Sequence, residues 1–468
     1  MGRKRKKRDA EGQMLLFIDY RRNLTTEGGE VKSRGTVGQG SQKPVKEASR
    51  LGRTEDLMER AADLANLDRA WKRVRANKGK GGVDGVSVDE FERKAWPEIR
   101  NIRDEMLEER YAPTAVRGVQ IPKPNGGVRQ LGIPTIRDRI VQQALAQVLT
   151  PMYETVFSES SYGFRPNRRA HDAVRRGSAH VAEGYGVVVD LDLEKFFDKV
   201  NHDRLLARLA GDIADGRVTR LIGRFLKVGL MENGVCQARK EGTPQGGPLS
   251  PLLANIVLDE LDKELERRGH RFCRYADDCN IYVKTQKAGE RVMKSLVRFI
   301  TGRLRLKVNE TKSKVAPSAQ CTFLGYTIGT QGKLWIAEKS KKRMMERLRI
   351  ITTRNRGRKL EAVIRELNAY LTGWLAYFRY ATASHFLREA GRNLRRRLRC
   401  YRLKQCKRRI GIARCLTRLG MRPNDAWKVA MSRKGWYRKA DAPQVKVYMN
   451  NAWFGKLGLV PLVIKPID

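Results

Sequence analysis

An α+β fold is expected for this 468-residue chain. Three observations point to it. Helical and strand-like patterns alternate from about residue 135 to 335, hairpin signals stand at 232–242 and 275–284, and beyond 339 the pattern is almost purely helical and basic. A chain of this length can bury a sizeable core and holds about three domains.

The elements follow in order. Residues 1–53 mix a basic run with Gly, Ser, Thr and Gln, the composition of a disordered arm. A helical pattern starts near Asp56 and stops at the glycine-rich NKGKGGVDG, residues 77–85. Strand-like RGVQIPKP at 117–124 leads through a Gly-Gly turn into VRQLGIP. The run VVVDLDL has a period of two, which puts Val188, Asp190 and Asp192 on one face and Val187, Val189 and Leu191 on the other. A Gly/Pro-rich loop, GTPQGGP, then precedes a helix, with Ser250 expected as its N-cap and Pro251 as its first residue. Near the C-terminus, Leu367, Leu371, Trp374 and Phe378 form a core stripe on one helical face.

Charge is the strongest global signal. Lys and Arg number 96 against 51 Asp and Glu, a net +45, and residues 336–468 alone hold 34 against 8. A single-sign field of this size points to a polyanion, and nucleic acid is the first hypothesis. No apolar run is long enough to cross a bilayer. Seven cysteines without CxxC spacing argue against a disulfide framework or a zinc module and favour a reducing cytosol.

The chemistry gathers around RYADDCNIYVK, residues 274–284. Asp277 and Asp278 sit side by side in a segment otherwise suited to a strand, although neighbouring carboxylates repel and resist burial. One reading is a solvated turn. The other is a divalent metal that neutralises the pair, which requires a third carboxylate elsewhere. The VVVDLDL run supplies candidates, unless it is an edge strand whose polar face meets water.

DLEKFFDKVNHD, GTPQGGPLSPLLANI, CRYADDCNIYVK, LKVNETKSKV and FLGY, in that order, resemble the reverse transcriptases encoded by bacterial mobile group II introns. The resemblance covers residues 55–468 and is nearest to the compact class C lineage without an endonuclease domain, since no endonuclease-like His/Cys cluster follows the basic tail. It implies a right-hand polymerase, with fingers and an antiparallel palm sheet, followed by an α-helical thumb and maturase domain. Asp192, Asp277 and Asp278 would be the catalytic carboxylates and ligands of two Mg²⁺ ions, with Mn²⁺ as a substitute and Asp190 a structural neighbour. Lys123 and Arg129 would grip the triphosphate. Phe197 would lie under the sugar and exclude a 2′-hydroxyl. Gln245 would sit near the incoming nucleotide, and Lys312 beside the leaving group. Arg165, Arg168 and Arg169 would touch the template backbone, and Arg395, Arg396 and Arg397 the RNA.

The implied domains are a basic arm at 1–53, an N-terminal extension with a template-lid loop at 54–110, fingers and palm at 111–335, thumb and domain X at 336–405, and a DNA-binding-like tail at 406–468. The expected protein copies RNA into DNA, assists splicing of its own intron and supports retrohoming. Its partners would be group II intron RNA, an RNA template with a DNA primer, dNTPs and target DNA, with no membrane, in the bacterial cytoplasm near the nucleoid. Two rivals remain open: a reverse transcriptase of the same fold serving phage defence or CRISPR adaptation, and a splicing-only RNA-binding maturase.

Overall fold

The computed structural model describes residues 54–464 except 123–127, 233–234, 238–240 and 244–245. The basic arm, Lys123 and Gln245 therefore lie outside the described residues. The chain divides into two compact units, one built from the residues up to Ala173 together with Val188–Val315, the other from Val174–Val187 together with the residues from Ala316 onward.

In the first unit, helices Leu57–Ala62, Leu64–Ala76 and Ala95–Leu107 gather around the long helix Ile136–Glu154. Their apolar residues at helical spacing, among them Leu57, Leu67, Trp71, Ile99, Ile102, Ile140 and Leu145, are all buried. Asn66 joins two of these helices through its side-chain amide, which donates to the carbonyls of Ala61 at 3.0 Å and Ala144 at 3.2 Å. The glycine-rich loop is seated rather than merely flexible. Arg139 donates to the Lys80 carbonyl, and a Cβ on Gly82 would collide with the Thr135 backbone.

A first sheet has the order β2-β1-β4-β5, from β1 (Val116–Pro122), β2 (Val128–Ile133), β4 (Leu230–Glu232) and β5 (Val235–Gln237). β1 and β2 form the expected antiparallel hairpin, while β1 and β4 run parallel. A second sheet has the order β6-β7-β3-β8, from β3 (Val187–Leu191), β6 (Arg271–Tyr275), β7 (Asp278–Val283) and β8 (Lys314–Pro317). Helix Ser250–Arg267 packs against β6. Its cap position falls on Leu249, so Ser250 lies one residue further into the helix than expected, buried in the first turn.

The second unit holds a small antiparallel pair, β9 (Tyr326–Ile328) with β10 (Leu334–Ile336), and a run of helices. Helices Glu338–Ile351, Leu360–Tyr377 and Ser384–Gln405 share a core that includes Leu348, Leu367, Leu371, Leu394 and Leu398, with Trp374 packed against it. The end of the third of these helices also feeds a second core. Cys400 and Leu403 pack there with Ile412, Leu416, Ala426, Val429, Val445 and Met449. Arg399 is buried between them and donates to the carbonyls of Ala440 at 3.0 Å and Met449 at 3.1 Å. Among the described residues no helix is long and apolar enough to cross a membrane.

Candidate active site

β3 is an interior strand, which removes the edge-strand reading of VVVDLDL. Val188 is buried as well as Val189 and Leu191, so the strand buries side chains on both faces of the sheet. Asp190 lies on β3, and Asp192 follows directly after its last residue. The Asp192 backbone is held to the segment before β8. Its N–H donates to Ser313 Oγ at 3.0 Å, and its carbonyl accepts from the Asn309 N–H at 2.9 Å.

β6 and β7 pair in antiparallel register with Tyr275 opposite Asp278, leaving a two-residue turn of Ala276 and Asp277. Ala276 adopts φ +60°, a conformation a residue with a side chain seldom takes. Since β7 lies beside β3, one end of the sheet collects Asp190, Asp192, Asp277 and Asp278. Burial pushes the Asp278 carboxyl well above the usual carboxylate range, and the charges of Asp190, Asp277 and Asp192 push it further in that order. Asp190 is raised to about 6 by burial, with Lys314 opposing the shift and Asp192 adding to it.

This donor set suits a hard divalent cation, which prefers carboxylate oxygens and would relieve the repulsion. Among the described residues, no three Asp, Glu, His or Cys side chains already form a ligand cluster. Cations also reach the site: Lys312 Nζ lies 3.1 Å from Asp192 Oδ2, and the Lys314 charge bears on Asp190.

The two phenylalanines after Asp192 differ in burial. Phe196 is buried, whereas Phe197 is partly exposed, edge-on to Phe164 with ring centroids 6.5 Å apart. Residues 241–243 run alongside their short helix, Phe196–Lys199. The Thr243 N–H donates to the Phe197 carbonyl at 2.6 Å, and the Gly242 N–H to the Val200 carbonyl at 2.7 Å. Gly242 has φ +89°, and a Cβ there would press on the Asp198 backbone. Arg129 lies on β2, opposite Ile121.

The arginines separate. Arg169 is exposed. Arg168 pairs with Glu159 at 2.5 Å and lies over the Tyr162 ring. Arg165 departs from the expected template-facing role. Its side chain is 1% exposed, pairs with Glu154 at 3.0 Å and donates to the carbonyls of Ser158 and Ser161. In the second unit, Arg395 is partly buried. Arg396 stacks on Tyr437 at 3.8 Å and pairs with Asp441 at 3.6 Å. Arg397 donates to Thr352 Oγ1 at 2.6 Å and to the Arg349 carbonyl at 3.1 Å. The RRR run is thus largely engaged in joining helices.

Two groups beside the carboxylates escape the residue pattern. Asp190, expected to be a structural neighbour, bears on Asp278 through its charge ahead of the other two. Arg274 is buried in β6, and an arginine inside an apolar strand is the signal that could draw attention to it.

Comparison with known proteins gives this geometry a family. Residues 121–328 match the model for reverse transcriptase (RNA-dependent DNA polymerase), and residues 341–420 match the group II intron, maturase-specific domain. Protein YkfC of Escherichia coli (strain K12) is 35% identical over 272 residues, covering 50% of this chain and 71% of that protein. The group II intron-encoded protein LtrA of Lactococcus lactis subsp. cremoris is 30% identical over 344 residues, 59% of this chain and 57% of LtrA. An uncharacterized 91 kDa protein in the cob intron of Schizosaccharomyces pombe is 32% identical over 239 residues, 47% of this chain and 29% of that protein. Among solved structures, a chain of a partial Cas6-RT-Cas1--Cas2 complex aligns over 54% of this chain and 43% of its own length at 26% identity. Its TM-score of 0.35 is too low to bear on the fold.

Proposed function

Because this chain belongs to the group II intron-encoded reverse transcriptases and maturases, we propose that Asp192, Asp277 and Asp278 hold two Mg²⁺ ions for DNA synthesis on intron RNA. The protein is an RNA-directed DNA polymerase joined to a maturase domain, and polymerases of this family depend on a divalent metal. The observation that carries the proposal is the gathering of four aspartates at one end of the β6-β7-β3-β8 sheet, where burial and the neighbouring carboxylates raise the Asp278 carboxyl above its usual range.

When bound, Mg²⁺ lowers the pKa of the primer 3′-hydroxyl and neutralises charge on the triphosphate, and Mn²⁺ is able to substitute. The chain's own side chains supply position and charge. Lys312, whose ammonium lies beside Asp192, meets the leaving group. Lys123 and Arg129 grip the triphosphate, and Gln245 borders the incoming base. Phe197 presents its ring to the sugar. Arg168 and Arg169 flank the template, and the second unit with its excess of Lys and Arg binds intron RNA. The same complex engages target DNA for retrohoming.

Two assays on the purified protein test this. With an RNA template, a DNA primer, dNTPs and Mg²⁺, extension to full-length cDNA is expected. With precursor RNA containing the intron, splicing at low Mg²⁺ is expected to accelerate. Absent extension would leave the splicing-only reading, and a splicing rate unchanged by the protein would leave a same-fold polymerase with a different role.

A further inference from the structure

Arg274 stands two residues before the Ala276–Asp277 turn and is 1% exposed. A buried guanidinium is tolerated only when its charge is paired and its five N–H groups have acceptors. Here all five do. Nε donates to Asp262 Oδ1 at 2.7 Å, and Nη2 to Asp262 Oδ2 at 2.6 Å and Ser161 Oγ at 2.7 Å. Nη1 donates to Asn255 Oδ1 at 2.9 Å and to the Ala276 carbonyl at 3.0 Å.

The bond to Ala276 falls within the turn itself. Ala276 has φ +60°, so its backbone needs support from outside the strand pairing. Further support comes from residues 160–163. The Tyr162 N–H donates to the Arg274 carbonyl at 2.8 Å, and the Arg274 N–H to the Ser160 carbonyl at 2.9 Å. Asn255 Nδ2 donates to the Gly163 carbonyl at 2.9 Å, and a Cβ on Gly163 would overlap the Ala276 amide nitrogen. Asn255 and Asp262 both lie on helix Ser250–Arg267, which follows the GTPQGGP loop.

We propose that Arg274 is a positioning residue that fixes the metal-binding turn, through its hydrogen bond to the Ala276 carbonyl and its ion pair to Asp262. This rests on the reading of Asp277 and Asp278 as metal ligands. Only arginine fits, because a lysine has three donors on one nitrogen and cannot span Asp262, Asn255, Ser161 and the turn in one plane. Groups that orient metal ligands commonly change metal affinity or activity by about 10–100-fold when altered.

The test compares Arg274→Lys and Ser161→Ala with the wild type in the full-length protein bound to an RNA template and DNA primer. Two quantities are read: Mn²⁺ binding by electron paramagnetic resonance, and kcat and KM for single-nucleotide addition. Arg274→Lys is expected to weaken Mn²⁺ binding and lower kcat, each by about 10-fold or more, with KM for the nucleotide and primer–template affinity close to wild type. Ser161→Ala removes one of the five hydrogen bonds and is expected to shift both readouts several-fold in the same direction. It also decides the matter if Arg274→Lys does not fold. Wild-type Mn²⁺ binding in the folded variants would overturn the inference, even if thermal stability fell. Asp277→Ala is the control for the underlying reading: if it retained activity, the metal site itself would be misassigned, whatever Arg274 does.

Discussion

At the scale of single residues, the carboxylates were legible because two adjacent aspartates in a strand-forming segment are costly unless something neutralises them. The roles of Asp190 and Arg274 were not legible in the same way. What makes them matter is a neighbouring strand and a helix, and neither is visible in the local pattern. Arg165 shows the converse. An arginine in a loop reads as surface, yet a carboxylate eleven residues earlier and two carbonyls take it inside. Phe196 and Phe197 give the sharpest residue-level test. A hydrophobic pocket discriminates against an added hydroxyl by only about 10²-fold, whereas a ring in the path of the 2′-oxygen excludes it sterically. Phe197→Ala should therefore raise ribonucleotide incorporation while deoxynucleotide addition stays measurable. Phe196→Ala should instead cost about 3–5 kcal/mol of stability, as for other buried aromatics. Single-nucleotide addition of rNTP against dNTP, with thermal melting, separates the two. Relaxed sugar selection in Phe196→Ala alone would reverse the assignment.

At the scale of elements, the hairpins and the amphipathic helices followed from periodicity, because a half-buried face leaves its period in the sequence. The interior position of β3 did not, since strand order depends on distant pairing. The one-residue shift at Ser250 is also beyond local pattern, because the serine is buried rather than used as a cap. Asp215 shows how distant elements are joined. Its carboxylate accepts from the Met58 N–H at 2.9 Å and from Arg217 Nε at 3.0 Å, while its N–H donates to the Thr54 carbonyl. Burial raises this carboxyl, but the hydrogen bonds and the Arg217 charge outweigh it and hold the pKa below the usual value. A group depressed in the folded state stabilises above its unfolded pKa, and that contribution is lost as pH falls through the folded pKa. Wild-type melting temperature should thus fall more steeply below about pH 4 than that of Asp215→Asn, which already lacks the contribution at neutral pH. Parallel melting curves for the two proteins would remove Asp215 from the linkage.

At the scale of the whole molecule, the net charge of +45 made nucleic acid the first hypothesis, and the matching families agree with it. Which cations meet RNA was not legible, because Arg396 and Arg397 look in sequence like any run of surface charge yet bond to neighbouring helices. Lys407, Arg408 and Arg414 are exposed. Replacing these three with Gln should lower the log–log salt slope of RNA binding by about 0.7–0.9 for each phosphate that the protein no longer neutralises, with melting unchanged. Replacing Arg396 and Arg397 should lower the melting temperature. An unaltered slope in the first variant would make those cations solvated surface. Polymerisation is proposed for Asp277 and its neighbours, on a different compact unit from the maturase-matching helices. The most direct measurement is cDNA synthesis by Asp277→Ala at ordinary Mg²⁺, run beside intron-RNA binding and splicing by the same preparation. Loss of cDNA synthesis with binding and splicing retained is the expected result, and substantial synthesis by the variant would contradict the active-site assignment.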